Sequence, residues 1–475
     1  MNFNRASIIM WVLVFGAVFL TMFSGLVGFF SFQSRQNQRT EAENSAFQIA
    51  EAGINYAEWH LAHDATDFSF SGAYDYKDPE GSIVGHYELE VASSSSACDA
   101  GIKIEAAGWK QGFSDVQRKI KIKYAKPSLA KYGFLTNSNA WFGEDEELKG
   151  PFHSNAGIRM DGKQNSLSTS YKETYICGAE HGCSAGNCFS PCVWLTLPAP
   201  GSCQCPGIWG AGEGGGKGLW QFPVGLVDFN KIIQNLDTLK NEAQSQGIYL
   251  AQSDKYGYHL KFMSNGTVDV YKVKILQPRV WGYNGDEWVH ESNDIKTETF
   301  YQNYNLPLNC APIFIEDNIW VEGDVNGRIT VVAAKLPEMP ASLKKIIIPN
   351  NINYANSNSV LGLISQKDIL IPLRSPNNLE IKAVLLAQKG HVFRYYYEKQ
   401  NHEPYKTYAI RDYIETFGSI ITNTMWTFTW VDELGNVVSG YKETEMSYNK
   451  DLTYSPPPYF PVSGNYETVS WEEIN

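Results

Sequence analysis

The amino-acid sequence predicts an α+β protein that is mainly β, with a long N-terminal transmembrane helix, a small β meander and a large β-solenoid-like body. Three observations lead to this fold class. An uncharged apolar run continues into helix-forming residues, segments of alternating polarity follow it, and an eleven-residue pattern recurs four times along the chain. We place the helix at residues 1–63, a small antiparallel β domain at 64–130 and the body at 131–475.

The N-terminal helix begins with 29 residues, Ala6 to Ser34, that contain neither a charge nor a proline. As a helix this run reaches about 43 Å, which is enough to cross the apolar core of a bilayer. Because the run exceeds the apolar region of a cleaved signal sequence, we expect a single-pass anchor in the cell membrane that carries an extracytoplasmic, cell-surface body. Arginines flank the run on both sides, so they do not define its orientation.

Residues 35–63 continue the helix, since they lack proline, contain a single glycine and are rich in Gln, Glu and Ala. Small or short polar side chains recur along both halves at about the helical period of 3.6 residues, so they lie on one stripe. They are Ala17, Thr21, Ser24, Gly28, Ser31, Ala42, Ala46, Ala50, Gly53 and Ala57. Such a stripe permits close approach either by a helix of another subunit or by the protein's own β domain.

The segment at residues 46–61, AFQIAEAGINYAEWHL, resembles the N-terminal region of PilX-type minor pilins and related pilin-like proteins of type IV pilus machines. In that family a hydrophobic helix lies in the inner membrane, an Ala-Glu-Ala-Gly segment follows, and a β-rich head lies outside. The resemblance covers approximately residues 1–125 and implies contact with other pilin-like subunits through the helix. The residues assigned to this packing are Ala42, Ala46, Ala50, Glu51, Gly53 and Ala57.

Three segments after the helix alternate apolar and polar residues: Tyr87 to Val91, Ile102 to Trp109 and Val116 to Tyr124. Turn-forming Ser, Gly and Asp separate them. This pattern predicts a three-stranded antiparallel meander.

A repeated pattern identifies the large body. It occurs as GPFHSNAGIRM from Gly150, LGLISQKDILI from Leu361, AVLLAQKGHVF from Ala383 and GSIITNTMWTF from Gly418. Each copy has two large side chains, then Ser, Ala or Thr, then an amide, and large residues again at the ninth and eleventh places.

The amides of this pattern are Asn155, Gln366, Gln388 and Asn423. Stacked turns of a parallel β-solenoid account for them, because a small residue followed by an amide at a corner permits a tight turn and an amide ladder between neighbouring turns. A β-sandwich whose strands are alike in composition is the alternative. Two other features interrupt the body, a Cys/Gly-rich insertion at about 173–220 and a helix at 228–246 with apolar residues at helical spacing.

Eight cysteines follow the predicted anchor: Cys98, Cys177, Cys183, Cys188, Cys192, Cys203, Cys205 and Cys310. An even number in an extracytoplasmic body predicts disulfides that hold a Gly-rich loop with little core of its own, although the spacing does not fix their pairing. A metal site that joins cysteines to His181 is the alternative. No Cys-x-x-Cys pair occurs, so we predict no metal and no cofactor.

Several function classes are disfavoured by composition and context. The net charge is -12 and no basic stripe is present, which argues against nucleic-acid binding. The string GCSAG at 182–186 and the glycines at 210, 212 and 215 match a nucleophile elbow and a dinucleotide-binding loop, but neither has the strand–helix frame that its chemistry requires. His153 beside Ser154 holds a wall position of the repeat, so we predict no catalytic residue.

The sequence favours a non-catalytic, pilin-like component of a type IV pilus-like system that acts in filament assembly, at a filament tip or in surface adhesion. Its expected partners are the membrane, other pilin-like subunits and surface glycans, with no nucleic acid. Two alternatives belong to other classes: a membrane-anchored β-helix enzyme that acts on polysaccharides with carboxylates on one face, and a sugar-binding adhesin.

Overall fold

A computed structural model describes residues 5–94, 98, 100–144, 146–178, 181–183, 188–195, 202–210, 216–229, 236–424, 426–432, 435–462 and 464–474. The chain forms two compact units. The first comprises Met1–Ser94, Gly101–Ala125 and Tyr466–Asn475, and the second comprises Ser95–Ala100 and Lys126–Asn465. Both ends of the chain therefore belong to the first unit.

The described helices are α1 (Arg5–His63), α2 (Leu236–Ser245) and α3 (Tyr405–Tyr408). The strands are β1 (Gly72–Lys77), β2 (Ile83–Ser93), β3 (Ile102–Lys110), β4 (Gln117–Ala125), β5 (Phe134–Thr136), β6 (Ala140–Phe142), β7 (Glu147–Leu148), β8 (Phe152–Ser154), β9 (Ile158–Met160), β10 (Lys163–Gln164), β11 (Ser168–Ser170), β12 (Thr174–Cys177), β13 (Val193–Leu195), β14 (Ser202–Pro206), β15 (Ile208–Trp209), β16 (Trp220–Gln221), β17 (Ile248–Leu250) and β18 (Tyr258–Met263). They continue with β19 (Thr267–Leu276), β20 (Val280–Tyr283), β21 (Trp288–Glu291), β22 (Ile295–Asn305), β23 (Ile313–Ile315), β24 (Ile319–Val325), β25 (Arg328–Ala333), β26 (Ile346–Ile347), β27 (Ile352–Tyr354), β28 (Val360–Ser365), β29 (Ile369–Ile371), β30 (Asn378–Ala387), β31 (Val392–Arg394), β32 (Ile410–Thr422), β33 (Trp426–Thr427), β34 (Thr429–Val431), β35 (Val437–Tyr448) and β36 (Glu467–Ile474).

The first unit packs the C-terminal half of α1 against an antiparallel sheet with the strand order β1-β2-β3-β4-β36. Strands β2, β3 and β4 cover the three segments that alternation predicts. Local alternation did not indicate the two edge strands, and β36 pairs with β4 although more than 340 residues separate them in the chain.

Most strands of the second unit pair in parallel, and among the described residues they form four ladders, of which the shortest is β6-β9-β15. The other three belong to one large sheet. In spatial order the first is β17-β23-β25-β28-β30-β32-β5-β8-β11-β16. The second is β18-β24-β26-β29-β31-β33, and the third is β24-β27-β30-β32-β35-β7-β10. This pairing differs from the antiparallel sheets of a β-sandwich.

The order of the first ladder is not the order of the sequence. Strand β5, near the start of the body, pairs with β32, near its end, and the chain between them continues in both directions along the ladder. The predicted helix at 228–246 is present as α2, whose Leu236, Leu239 and Ala243 are buried; residues 230–235 lie outside the described part of the chain.

Alternate residues along the strands of the first ladder are buried in two different hydrophobic cores. Leu363 and Leu385 belong to the larger core, whereas Ile364 and Leu386 belong to a second core that also contains the buried residues of α2 and Phe460. Both faces of the ladder are therefore apolar, as expected for a parallel sheet that is covered on both sides.

The corner between β30 and β31 is one residue longer than the equivalent corner between β28 and β29. Val392, and not His391, pairs with Ile369, so the ninth place of the third repeat is shifted by one. Gly390 occupies the extra step, where an added Cβ would lie 2.1 Å from Asp368 Oδ1. Only glycine fits this close approach without displacing the aspartate.

Candidate functional site

The N-terminal half of α1 exposes its apolar side chains. From Ile8 to Phe32 the large apolar residues are 48–68% exposed. A window of 18 residues within α1 has a mean hydropathy of 2.2 and is 0% buried, so by length and composition this is the one described helix that could cross a membrane. Exposure of this kind is stable only where lipid or another protein surface replaces water.

The C-terminal half of α1 is in the opposite situation. Ala42, Ala46, Ala50 and Ala57 have no exposed surface, and Gly53 is buried as well. Glu51 lies on the exposed face of the helix. The predicted small residues of this half are thus brought together on one face, and the glutamate of the resembling segment lies away from it.

The helix-facing side chains of β3 become smaller towards the point where α1 lies closest to the sheet. The helix-facing residues of β3 are, in order, Ile102, Ile104, Ala106 and Gly108. A Cβ at Gly108 would lie 2.4 Å from the Ala46 carbonyl oxygen and 2.5 Å from the Ala50 nitrogen. The helix backbone therefore lies almost directly on the strand backbone at this point.

These contacts bear on the two interpretations of the small-residue stripe. In its C-terminal half the stripe packs against the protein's own sheet, so a helix of another subunit could not reach Ala42, Ala46 or Ala50 without displacing β3. The N-terminal half is different, because an added Cβ at Gly28 would meet nothing within 4 Å.

The four predicted corner amides occupy one step of the first ladder. Ser365, Ala387, Thr422, Thr136 and Ser154 are in register, and each precedes an amide. The backbone N–H of the amide residue continues the ladder: Gln388 donates to the Ser365 carbonyl at 2.9 Å, and Asn155 donates to the Thr136 carbonyl at 2.9 Å.

Asn137 is a fifth amide at this step that the sequence pattern missed. Its Nδ2 donates to Asn423 Oδ1 at 2.8 Å, and Asn155 Nδ2 donates to Asn137 Oδ1 at 2.8 Å, so three amides form a side-chain ladder. The segment YGFLTNSNAWF from Tyr132 carries the signal, but Ala140 fills the ninth place, where the pattern expects a large residue.

Asn155 also forms hydrogen bonds with the backbone of Val227, 72 residues later in the chain. Its Nδ2 donates to the Val227 carbonyl at 2.7 Å, and its Oδ1 accepts from the Val227 N–H at 3.0 Å. Because Asn155 is 5% exposed, both backbone groups of Val227 depend on it for hydrogen bonds in a site that water reaches poorly.

We predict that Asn155→Ala lowers the free energy of unfolding of the second unit by about 2 kcal/mol, since it leaves a buried N–H and a buried carbonyl without their partner. Urea denaturation followed by tryptophan fluorescence measures the change. The half-exposed Asn423→Ala, which loses a single hydrogen bond to Asn137, serves as the control and should cost less. Equal losses for the two variants would contradict the role given to Val227.

His153 and Ser154 do not form a catalytic pair. As neighbours in β8 they point to opposite faces of the strand, and Ser154 Oγ donates to the Ser138 carbonyl at 2.8 Å. The His153 ring contacts Thr169 Oγ1 at 2.9 Å and Asn155 Oδ1 at 3.0 Å. Burial lowers the pKa of this imidazole and favours its neutral form. It lines a groove of about 430 Å³ as a wall residue, as the repeat indicates.

All eight cysteines are paired. The disulfides are Cys98–Cys310, Cys177–Cys183, Cys188–Cys203 and Cys192–Cys205. Three of them hold the small antiparallel sheet β12-β14-β13 of the predicted insertion. The sulfurs of Cys177, Cys183 and Cys205 lie within 4.8 Å of one another, but a disulfide sulfur is not the thiolate that binds zinc. Residues 184–186 of the first glycine-containing string and the glycines at 212 and 215 of the second lie outside the described residues.

A row of glutamates lies across the third ladder. Glu380, Glu415 and Glu445 are in register on adjacent parallel strands. Glu445 pairs with Lys149 at 2.9 Å and accepts from the Tyr413 hydroxyl at 2.9 Å. Hydrogen bonding to Lys149 and Tyr413 lowers the pKa of Glu445, which keeps it ionised and unsuited to donate a proton as a general acid near neutral pH.

A charge cluster around the buried His259 joins β18, β22 and β24. His259, which is 4% exposed, contacts Glu298 at 2.7 Å and Glu322 at 3.5 Å, while Lys261 Nζ lies 3.0 Å from Glu298. Tyr271 packs over Lys261. Burial alone would lower the pKa of His259, but the contacts with the two carboxylates raise it. Burial likewise opposes ionisation of the carboxyls, but His259 and Lys261 lower the pKa of Glu298, and His259 lowers that of Glu322.

This cluster makes the stability of the second unit depend on pH. Because the pKa of His259 is raised in the folded protein, protonation of this histidine stabilises the folded unit at pH values below its unfolded pKa of 6.5. This stabilisation is lost as the pH rises through the folded-state pKa. Because the pKa values of Glu298 and Glu322 are lowered, their ionised carboxylates stabilise the folded unit at pH values above the unfolded pKa of 4.5. This stabilisation is lost as the pH falls through their folded-state pKa values. We therefore predict that the cluster stabilises most between about pH 4.5 and 6.5.

His259→Gln should remove this pH dependence on the alkaline side. The difference in Tm between the natural chain and the variant is expected to be largest near pH 6 and to shrink as the pH rises to 9, because glutamine cannot be protonated. His402→Gln, at an exposed histidine, should leave the profile unchanged. A difference in Tm that stays constant from pH 6 to 9 would show that His259 acts by packing alone.

Comparison with known proteins gives little guidance. No protein-family model matches the chain, and no curated protein matches it. Among solved structures the chain is similar to the competence-associated pilin ComZ from Thermus thermophilus, with 12% sequence identity and a TM-score of 0.29 over 91% of this chain and 97% of that chain. A TM-score of 0.29 does not establish a shared fold.

Proposed function

We propose that this chain is a non-catalytic, pilin-like component of a type IV pilus-like system, held in the membrane by the N-terminal half of α1. The observation that carries the proposal is the division of one 59-residue helix into an apolar half that is exposed and a half that is buried on an antiparallel sheet. The Ala-Glu-Ala-Gly segment at residues 50–53, with its resemblance to minor pilins, lies in the buried half and supports the assignment.

The second unit is, in this proposal, a β-solenoid displayed outside the membrane. Support comes from the three parallel ladders of the large sheet, from the amides at one repeated step, and from the four disulfides expected of an oxidising compartment. A rigid body of this kind suits a filament tip or an adhesive subunit.

Membrane attachment is tested by charge. Leu20→Arg together with Phe23→Arg should move the chain from the membrane fraction to the soluble fraction, because each arginine costs about 3 kcal/mol in the centre of a spanning helix. Asn44→Arg with Glu51→Arg, at exposed positions beyond the apolar run, should leave the chain in the membrane. If the first variant stays membrane-bound after a carbonate wash, the anchor assignment is wrong.

Assembly through the exposed half of the stripe is tested by crosslinking. Ser24→Cys places a thiol on the stripe, and Met22→Cys places one on the opposite side of the helix. Oxidation of intact membranes should link the Ser24→Cys chain to another pilin-like helix and leave Met22→Cys unlinked. Equal linkage of both variants would indicate random collision and would count against a specific helix interface.

The competing hypothesis is an anchored enzyme, whose carboxylates would be those of the row Glu380, Glu415 and Glu445. We expect the intact chain to release no product from a panel of acidic polysaccharides, with reducing ends as the readout. Lytic activity that Glu415→Gln abolishes would replace the present proposal with that of an anchored enzyme.

A further inference from the structure

A surface hairpin of the second unit has two different faces. Strands β20 and β21 pair antiparallel, with Trp281 opposite His290 and Tyr283 opposite Trp288. The face that bears Val280, Gly282, Val289 and Glu291 packs on the body, where an added Cβ at Gly282 would lie 2.9 Å from Tyr395. The alternation of a strand therefore directs all four aromatic residues to the outer face.

The outer face carries six rings in two groups, the pair Trp281 and His290 and a set of four formed by Tyr283, Trp288, Tyr396 and Trp430. Trp281 stacks on His290 at 4.7 Å with an interplanar angle of 19°, and Tyr283 lies 5.7 Å from Trp288. Tyr396 and Trp430 extend the surface, since Tyr396 lies 5.8 Å from Trp288 and 6.0 Å from Trp430. Trp281 is 52% exposed and Trp288 is 48% exposed.

The rings are held in place by hydrogen bonds. Tyr283 and Tyr396 exchange two backbone hydrogen bonds of 2.9 Å, and the Trp281 N–H donates to the Tyr405 hydroxyl at 2.7 Å. Trp430 Nε1 donates to the Arg394 carbonyl at 2.9 Å. A ligand that stacks on these rings would therefore bind a surface that is already ordered, so binding loses little conformational entropy of the side chains.

We propose that this face binds an uncharged glycan. The apolar C–H faces of sugar rings stack on exposed indole and phenol rings, while their hydroxyls need acceptors at the edge of the platform. Exposed carboxylates that can supply such acceptors are close in sequence to these rings. Asp286 and Glu287 lie in the turn between β20 and β21, where Asp286 also lies 3.7 Å from the His391 ring, and Glu398 follows Tyr396 by two residues. Their charge repels phosphates and uronates, which disfavours nucleic acid and acidic polysaccharides.

The size of the face also favours a glycan over a protein partner. Three of the rings, those of Trp281, Trp288 and His290, are exposed, and those of Tyr283, Tyr396 and Trp430 are partly buried. At about 150–250 Å² per aromatic side chain, the six together offer on the order of 400 Å². A stable protein interface buries about 800 Å² on each partner. The platform suffices for a few sugar rings, and it is too small by itself for a second copy of this chain.

Affinity electrophoresis of the intact chain tests the inference, in a zwitterionic detergent that carries no sugar headgroup. Gels contain soluble glucan, mannan, xylan or polygalacturonate. At least one neutral polysaccharide should retard the chain, and polygalacturonate should not. Trp281→Ala with Trp288→Ala should weaken the retardation at least tenfold, whereas Trp281→Phe with Trp288→Phe should keep most of it. Trp471→Ala, which removes an indole that is 49% exposed in the first unit, should have no effect.

Three results would overturn the inference: no retardation by any neutral polysaccharide, equal retardation of the Trp281→Ala/Trp288→Ala variant, or a change of oligomeric mass in that variant, which would assign the face to a protein partner. Unchanged Tm of the variants shows that they are folded. The readout does not involve α1, so its failure and a failure of membrane anchoring are separate outcomes.

Discussion

Removing the disulfide between Cys98 and Cys310, by Cys98→Ser with Cys310→Ser, is expected to destabilise the second unit more than removing Cys177–Cys183. The first pair is 212 residues apart and the second is 6 residues apart. In the chain-entropy model a crosslink restricts the unfolded chain more when it closes a longer loop, which gives about 5 kcal/mol for the first loop and about 2 kcal/mol for the second. The free energy of unfolding in guanidinium, compared with that of the fully oxidised chain, measures both.

The matched control for this prediction is Cys177→Ser with Cys183→Ser, which leaves the long-range disulfide in place. In that variant the other two disulfides of the insertion still hold β14, and β12 stays paired with β14 through backbone hydrogen bonds. If both double variants lose the same free energy, the stabilisation arises from local native packing and the argument from the unfolded state fails.

Gly108→Val is expected to lower the free energy of unfolding of the first unit by at least about 3 kcal/mol, because an added side chain meets main-chain atoms that cannot rotate away. The atoms in question are the Ala46 carbonyl oxygen and the Ala50 nitrogen, at 2.4 Å and 2.5 Å from the position of the Cβ. Hydrogen exchange of the β3 and β4 amides, which reports on this unit separately, should show the loss of protection.

Gly143→Val supplies the comparison, since an added Cβ at Gly143 meets nothing within 4 Å. It should change stability by less than about 0.5 kcal/mol, as surface substitutions usually do. Normal exchange protection in Gly108→Val would mean that α1 does not lie as close to the sheet as described. The helix would then be free to offer Ala46 and Ala50 to another subunit.

Much of the first unit could be predicted from local pattern. The uncharged run and the proline-free stretch after it predict one helix, and α1 is continuous from Arg5 to His63. Alternation predicts β2, β3 and β4. The stripe of small residues was ambiguous, because an alanine that permits close approach does not specify what approaches. For the C-terminal half of α1 the structure shows what approaches, because the helix-facing side chains of β3 decrease in size from Ile102 to Gly108 and so make room for the helix backbone.

The candidate sites of the second unit were less accessible to sequence. The amide positions follow from the repeat, but Asn137 was missed because one place of its copy holds alanine in place of a large residue. The cluster joins His259 to Glu298 and Glu322, 39 and 63 positions later, and the aromatic face joins a hairpin to Tyr396 and Trp430, more than 100 residues later. No local period marks such residues.

The sequence by itself determined the exposed apolar helix, the segments of β2, β3 and β4 and four of the five corner amides, because each depends on the spacing of side chains along a few consecutive turns or pleats. Tertiary structure alone decided the disulfide pairing, the return of β36 to the first sheet, and the placement of β5 beside β32. These features depend on which distant surfaces are complementary in shape. That information is distributed over the whole chain, and no local segment contains it.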